Sequence, residues 1–344
     1  MLKYVLGLGL GAIFLYLAFA GADWEEIKTA VQTINPGWMI LSLSVGLFSH
    51  FIRAVRWQMQ LKASGYQPTH LRLFASVMVG YLVNQALPRA GEVARCTSLM
   101  RSDKVPLSTG FGTVVIERVF DLMILIVLIA LAFVLESETI FSFLGAAFGG
   151  SEGDGSGGIS WLAILGIAGV AGLLLAWVFR KALLKLPLVQ KGITFGRELV
   201  QSALSIRHIE RPWLFILYTA IIWACYWFMT YFCFFAIDEF WNLDMNLLYL
   251  SLVTTVMGGI GMAIPVPGGT GPYHAAVTFT FVALLVAGGE EASRHLGQTF
   301  AIIMHSAQVV MMVSAGMLGY AYLMIQKPVD SSLEKGEAST PEAG

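Results

Sequence analysis

The sequence predicts an all-α polytopic membrane protein with about six full transmembrane helices and two re-entrant hairpins inserted from opposite sides. Of its 344 residues, 57% are hydrophobic and 12% are charged, and the mean hydropathy is +0.72. Soluble domains carry roughly 25% charged residues. Each half of the chain also contains one apolar element that proline and glycine interrupt. Such paired elements indicate an inverted repeat with a binding site between the two halves.

Six apolar segments are long enough to cross a hydrocarbon core of about 30 Å. The first covers residues 1–20, although the small residues at 18–22 also fit a cleavable signal peptide. The other five segments are residues 38–61, 107–135, 161–179, 212–237 and 296–325. We assign residues 1–325 to one transmembrane domain and residues 326–344 to a disordered cytoplasmic tail.

The basic residues orient the chain, because cytoplasmic loops carry an excess of Lys and Arg. Residues 180–211 are rich in both, and we interpret them as an amphipathic helix on the cytoplasmic leaflet. Arg53, Arg56 and Trp57 are typical of a snorkelling pattern at the cytoplasmic end of the second span. Both termini are then cytoplasmic, and we expect a multi-pass protein of the bacterial inner membrane.

The two interrupted elements are residues 73–106 and 247–287. If the first crossed the membrane fully, the loops before and after it would violate the charge rule. We therefore predict that it enters and leaves on the same side. The second element is either another re-entrant hairpin or two short spans. Charge does not decide between these, and the symmetry of the two halves favours the hairpin.

Charged residues cluster in and beside the first element, within segments that otherwise read as membrane. Such charges must face protein or a water-filled cavity, so they indicate a functional site. The arginines would bind an anionic head group, and the carboxylates would take a proton or a basic head group. The alternative is an ion-pair network that only holds helices together. The predicted substrate-binding residues are Asn84, Arg89, Glu92, Arg95, Glu117, Arg118, Asp121 and His305.

Proline and glycine residues would shape the tips of both elements. At the first tip these are Pro88 and Gly91, and freed peptide N–H groups around them would help to bind an anion. Small residues at the second tip predict either a thin gate that lets a head group pass or only a tight turn. The second-tip residues are Pro265, Pro267, Gly268, Gly269 and Gly271, followed by Tyr273 and His274.

Several other classes of protein and site are not expected. The net charge of −1 gives no basic face for nucleic acid. The glycine-rich runs lack the Lys-Ser/Thr of a phosphate loop, so we expect no nucleotide-driven activity and no cofactor. His274 and His305 lack a neighbouring set of Cys or carboxylate ligands, so we expect no metal site. The three cysteines do not predict a disulfide framework.

These motifs together resemble the lysylphosphatidylglycerol synthase transmembrane-region family, also called flippase-like domain proteins. The similarity covers about residues 3–325 and rests on residues 84–95, on Glu117, Arg118 and Asp121, and on residues 265–271. The resemblance implies a membrane domain that moves aminoacylated phosphatidylglycerol or other polar lipids between leaflets. Members of the family are fused to a cytosolic aminoacyl-transferase domain, stand alone, or accompany glycosyltransferases.

Two departures from the family pattern affect what the resemblance implies. Only residues 326–344 follow the last predicted span, so we expect neither an aminoacyl-transferase domain nor lysyl transfer. Pro272, Tyr273 and His274 follow Gly271 where relatives often carry an acidic residue. The charge preference of the second half, and with it the identity of the lipid, is therefore open.

We accordingly expect a lipid flippase that moves an anionic or aminoacylated phospholipid, or another polar lipid, by alternating access. One alternative is a membrane-embedded enzyme that modifies lipid head groups, with Glu117, Asp121 and His305 as acid and base groups. A second alternative is a non-transporting partner of a lipid synthase or glycosyltransferase. Membrane lipids are the expected partners in each case.

Overall fold

The computed structural model describes residues 34–135, 209–243, 245–264 and 266–326. The predictions that lie outside the described residues concern residues 1–20, 161–179, 180–208 and 327–344, and Pro265.

The described residues are almost entirely helical. The helices are α1 (Pro36–Ala63), α2 (His70–Ala86), α3 (Ala90–Asp103), α4 (Leu107–Leu135), α5 (Pro212–Phe235), α6 (Leu247–Ala263), α7 (Pro272–Ala283) and α8 (Glu290–Ile325). Short 3-10 turns precede α6 and α7, at Asp238–Asn242 and Pro267–Gly269. Of the helices in the described ranges, α1, α5 and α8 are long and apolar enough to cross a membrane. Four of the predicted spans fall on α1, α4, α5 and α8.

Helix starts follow local sequence signals. Asn35 caps α1, since its Oδ1 accepts a hydrogen bond from the Gly37 N–H at 3.0 Å. Thr69 caps α2 by accepting from the Arg72 N–H at 3.4 Å. Asn246 caps α6 in the same way as Asn35 caps α1. These side chains satisfy backbone donors that a helix start leaves without an intrahelical partner.

The first interrupted element forms a helical hairpin. Residues 87–89 join α2 to α3, which packs back against α2. Gly80 and Gly91 allow this close approach, because a Cβ on Gly91 would overlap the carbonyl oxygen of Gly80. At the open end of the hairpin, Arg72 forms a salt bridge with Asp103 at 3.1 Å. The element therefore begins and ends at the same end of the hairpin.

The second interrupted element is also a hairpin. A Cβ on Gly261 would lie 2.6 Å from the carbonyl oxygen of Pro272, and a Cβ on Gly258 would lie 2.9 Å from the Tyr273 ring. Small residues thus let α6 and α7 pack closely near the tip. α7 has 12 residues. At 1.5 Å per residue it is about 18 Å long.

α8 runs along both hairpins. It has 36 residues and is about 54 Å long at 1.5 Å per residue. Next to α7, Gly297 of α8 packs against Phe281, while His305 of α8 stacks on Tyr273 with ring centroids 5.2 Å apart. The residue number increases along α8 from the first contact to the second, while it decreases along α7. The two helices are therefore antiparallel.

α2 is also antiparallel to α8, further along its length. A Cβ on Gly316 would lie 2.6 Å from Leu82 Cβ, and a Cβ on Gly319 would lie 2.9 Å from the carbonyl oxygen of Ala75. Glycines at such positions let helix backbones pack closely. α2 and α7 therefore run in the same direction. Because the first tip follows α2 and the second tip precedes α7, the two tips point toward each other along α8.

The tips make direct contact. Arg89 in the first tip donates a hydrogen bond from Nη2 to the carbonyl oxygen of Ala263 at 2.8 Å. Gly268 in the second tip lies against Gln85, whose Oε1 would be 3.0 Å from an added Cβ. The fold thus brings together two breaks that are far apart in the sequence.

α1 and α5 form an antiparallel pair that encloses the side of the hairpins. The segment before α1 pairs with the segment after α5 through an isolated bridge between Ile34 and Ile237. At the other end, Lys62 lies 3.1 Å from Glu210. Between these points Ser42 Oγ donates to the carbonyl oxygen of Met229 at 2.7 Å.

Each hairpin has its own hydrophobic core. The first is packed under α1 by Ala54, Trp57, Leu61, Leu73, Val77, Leu99 and Val105. The second is packed against α5 and α8, with the aromatic side chains Phe234, Phe240, Phe281 and Phe300 at its centre. In a membrane such side chains stabilise helix contacts through van der Waals packing, because lipid tails are as apolar as the side chains themselves.

Candidate functional site

A cavity of about 510 Å³ lies between the hairpin tips. All eight of the described helices contribute to its wall, together with both tips. The charged residues of its lining are Arg53, Arg89, Glu92, Arg118 and Asp121. The apolar residues of its lining include Leu122, Leu125, Met229, Met262, Met311 and Met312. Methionine side chains adapt to ligands of different shape. The lining therefore combines the polar and apolar groups that an amphiphile needs.

Asp121 is the centre of a buried ionic network. Its Oδ2 accepts from Arg53 Nη1 at 2.9 Å, and its Oδ1 accepts from Arg56 Nη2 at 3.0 Å. Arg53 also donates to the Tyr226 hydroxyl at 3.0 Å, and Arg56 donates to Thr219 Oγ1 at 2.8 Å. The two arginines are three residues apart on α1, so they share the helix face toward Asp121.

Glu117 lies one turn before Asp121 on α4 and is fully buried. Its Oε2 accepts from Arg95 Nη2 at 2.7 Å and lies 3.7 Å from Arg53 Nη1. The Arg95 guanidinium in turn stacks over the Trp57 ring at 4.4 Å. This pair joins α3 to α4 behind the cavity wall.

Arg118 is held less tightly than the buried arginines. It lies 3.5 Å from Glu92 Oε1 and 3.7 Å from Asp121 Oδ2, and its side chain is 47% exposed. Charge-assisted hydrogen bonds are typically 2.7–2.9 Å long. Glu92 Oε2 is buried and has no hydrogen-bond partner among the described residues. Both side chains therefore retain capacity for a ligand.

Arg89 presents the least compensated charge of the cavity. It is exposed, its backbone is left-handed with φ of 64°, and its hydrogen bond goes to the Ala263 carbonyl rather than to a carboxylate. Within the described ranges it forms no salt bridge. Ala263 ends α6, and a helix C-terminus favours a cation. That contact orients the guanidinium at the cavity without neutralising it.

The ionic groups around the cavity do not balance. The network and the first tip contain five arginines and three carboxylates, namely Arg53, Arg56, Arg89, Arg95, Arg118, Glu92, Glu117 and Asp121. The five positive and three negative charges leave an excess of two positive charges. An uncompensated charge in a low-dielectric site attracts a counter-charge strongly. The cavity is therefore suited to an anion.

Asn84 has a structural role in addition to lining the cavity. Its Oδ1 accepts from the Gly91 N–H at 2.7 Å, so α2 caps the start of α3. The Ala90 N–H donates to the Leu87 carbonyl at 3.2 Å. The peptide N–H groups of Ala90 and Gly91 are therefore occupied. This corrects the expectation that they are free to bind an anion.

The predicted residues of the second tip lie beside α8. His305 contacts Tyr273 and His274, with ring centroids 5.2 and 4.9 Å apart. The Gly271 N–H donates to His274 Nδ1 at 3.4 Å. Tyr273 lines the cavity, whereas His274 and His305 stand behind it.

The structure brings most of the predicted residues to one site. Those that line the cavity are Asn84, Arg89, Glu92, Arg118, Asp121, Pro88, Gly268, Gly269 and Tyr273. Those that lie outside the lining are Arg95, Glu117, His305, Gly91, Pro267, Gly271 and His274. The described residues contain no group of three or more His, Cys, Asp or Glu side chains placed to hold a metal ion.

Arg53, Arg56 and Trp57 are corrections to the sequence analysis. They were expected to snorkel at the cytoplasmic interface, but Arg53 is 3% exposed and the other two are fully buried. The two carboxylates of α4 bind the arginines inside the fold, which removes the need to reach the interface. The sequence did contain a signal for this burial, because two arginines lie in an apolar helix without a local acidic partner. Such charges require counter-charges from elsewhere in the fold.

These features define a helical membrane protein with a cationic cavity between two facing hairpin tips. The chain belongs to the family described as lysylphosphatidylglycerol synthase TM region, whose model matches residues 4–316. The resemblance inferred from the sequence motifs is thereby confirmed.

Three relatives illustrate the family. The chain is 31% identical over 112 residues to UPF0104 membrane protein MJ1595 of Methanocaldococcus jannaschii, covering 32% of this chain and 33% of that protein. It is 26% identical over 184 residues to glycosyltransferase AglD of Haloferax volcanii, covering 48% of this chain and 30% of that protein. It is 24% identical over 310 residues to UPF0104 membrane protein PH1989 of Pyrococcus horikoshii, covering 83% and 88%. The matches thus span about a third of the first two relatives. No solved structure matches the chain.

Proposed function

We propose that the protein is a lipid flippase that moves an anionic or aminoacylated phospholipid, or another polar lipid, between leaflets by alternating access. The observation that carries the proposal is the excess of arginine charge in a cavity between two helical hairpin tips. In this proposal both hairpins are re-entrant and enter from opposite leaflets. Residues 1–325 form the transmembrane domain, and both termini are cytoplasmic in a bacterial inner membrane.

The head group would bind at the first tip. Of the arginines that line the cavity, Arg89 and Arg118 have the capacity for a new partner. One guanidinium group can donate hydrogen bonds to two oxygens of the same phosphate. Arg53 would add positive potential while it stays bonded to Asp121. The other members of the ionic network, Arg56, Arg95 and Glu117, lie outside the cavity lining and would hold these groups in place.

Movement would follow from competition for Arg89. The same guanidinium that would bind phosphate also bonds the Ala263 carbonyl across the two tips. A phosphate that takes this donor would weaken the contact between the tips. The lipid would thus bind more tightly to a state in which the tips are separated than to the state with the tips in contact. This difference in affinity would shift the protein toward the separated state.

The enzyme alternative has less support in the geometry. Glu117 has its Oε2 on Arg95, and Asp121 has both oxygens on arginines. Carboxylates held as ion pairs are poor proton donors at neutral pH. The partner alternative draws on the similarity to the protein named glycosyltransferase AglD.

Purified protein reconstituted alone in liposomes separates these functions. We expect fluorescent phosphatidylglycerol in one leaflet to appear in the other with its head group intact, as measured by dithionite quenching and by mass spectrometry. A head group of changed mass would instead support the enzyme. Thermal unfolding would verify that the reconstituted protein is folded. If folded protein gives neither movement nor product, that result would contradict the flippase proposal and favour the partner alternative.

A further inference from the structure

A row of aromatic side chains forms part of the cavity wall. Its members, here called the aromatic row, are Trp223, Tyr226, His50 and Tyr81. Trp223 contacts Tyr226 at 5.9 Å between ring centroids, Tyr226 contacts His50 at 6.2 Å, and His50 contacts Tyr81 at 4.4 Å. α1, α2 and α5 supply these rings, so the row depends on the assembled fold.

Several polar atoms of this wall have no hydrogen-bond partner among the described residues. They are Trp223 Nε1, His50 Nδ1 and Thr254 Oγ1, and each is buried. His50 is 4% exposed and Thr254 is 2% exposed, yet both line the cavity. A buried polar group without a partner destabilises the fold, because it has lost its hydrogen bonds to water. These atoms therefore indicate a ligand, or water that a ligand displaces.

The chemistry of the unpaired atoms defines the ligand group. The indole N–H of Trp223 donates, the Thr254 hydroxyl donates and accepts, and Glu92 Oε2 on the same cavity needs a donor. Hydroxyl groups both donate and accept, whereas an ionised phosphodiester only accepts. An ammonium supplies donors but no acceptor, so it would leave the Trp223 N–H without a partner. An uncharged polyol fits best.

We infer that the aromatic row with Thr254 is a second subsite, which binds a sugar or polyol joined to the lipid phosphate. The flat faces of the rings pack against the C–H groups of a polyol, and the unpaired atoms bind its hydroxyls. This inference rests on the proposed function, because the phosphate must bind the arginines for the polyol to reach the row. It narrows the substrate to phospholipids with a hydroxyl-rich head group.

Binding of three lipids to the purified full chain tests the inference, with affinities from native mass spectrometry. Phosphatidylinositol carries a phosphodiester and a polyol, phosphatidylmethanol carries the same phosphodiester without the polyol, and phosphatidylethanolamine carries an ammonium. We expect phosphatidylinositol to bind about threefold to tenfold more tightly than phosphatidylmethanol, the effect of one net hydrogen bond. Phosphatidylethanolamine should bind most weakly.

Two substitutions locate this preference. Trp223→Phe removes the N–H and keeps a ring, and Thr254→Val removes the hydroxyl at similar volume. Each should lower the affinity ratio of phosphatidylinositol to phosphatidylmethanol by about threefold to tenfold. The matched control is Trp213→Phe, at an exposed tryptophan on the same helix and outside the cavity. Thermal unfolding verifies that each variant is folded.

The possible failures are distinguishable. Equal affinity for phosphatidylinositol and phosphatidylmethanol, or an unchanged ratio in both variants, would overturn the polyol subsite and leave the proposed function standing. Tightest binding of phosphatidylethanolamine would overturn it in favour of an ammonium site. No binding of any of the three lipids would overturn the proposed function, and the subsite with it.

Discussion

Asp121→Ala is expected to lower the free energy of unfolding by about 3–5 kcal/mol, the usual cost of removing one partner from a buried ion pair. The Asp121 carboxylate bonds both Arg53 and Arg56, at 2.9 and 3.0 Å, and both arginines are buried. Without it, two positive charges face each other within one helix turn. Reversible unfolding in mixed micelles, followed by tryptophan fluorescence, measures the loss.

The control for this prediction is Glu290→Ala. Glu290 also pairs with an arginine, at 2.8 Å from Arg294, but both side chains are more than half exposed. An exposed pair of this spacing contributes about 0.3–0.5 kcal/mol. Equal destabilisation by both variants would mean that the buried network does not hold the helices together.

Arg89→Gln is expected to slow the translocation of anionic lipid by about 10-fold to 100-fold without unfolding the protein. A hydrogen bond to a charged group contributes roughly 1.5–3 kcal/mol, which corresponds to that range. Arg89 is exposed and makes its hydrogen bond to a backbone carbonyl, which the glutamine amide can replace. The folded state therefore loses little, while the phosphate loses a charged donor.

Rates for this variant are measured by dithionite quenching of fluorescent phosphatidylglycerol in proteoliposomes. Arg294→Gln removes an exposed arginine that lies outside the cavity and serves as the control. A wild-type rate in Arg89→Gln would exclude Arg89 from head-group binding and would assign its contact with Ala263 a structural role alone.

The two interrupted elements were predictable because their signals are local. Pro88 cannot continue α2, and the glycines from Gly268 to Gly271 adopt conformations with positive φ that other residues disfavour. The charges of α4 were predictable as a site because carboxylates are rare in apolar helices. Local composition thus located both hairpins and one side of the ionic network.

The other side of the network was not predictable in this way. Arg53 lies 68 residues before Asp121, and nothing in the sequence near either residue records that they meet. Its position toward the end of an apolar segment was explained by snorkelling to the interface, and that explanation was wrong. Asn84 is similar, because capping of α3 from α2 depends on how the hairpin closes. The aromatic row likewise joins three helices and has no local pattern.

The most direct test of the central claim is the head-group selectivity of the wild-type protein. Proteoliposomes would contain fluorescent phosphatidylglycerol or phosphatidylcholine with identical acyl chains, and the initial translocation rates would be compared at the same protein density. The excess of arginine charge in the cavity predicts a rate at least about 10-fold higher for phosphatidylglycerol. Equal rates for the two lipids would contradict the claim that this cavity selects and moves an anionic head group.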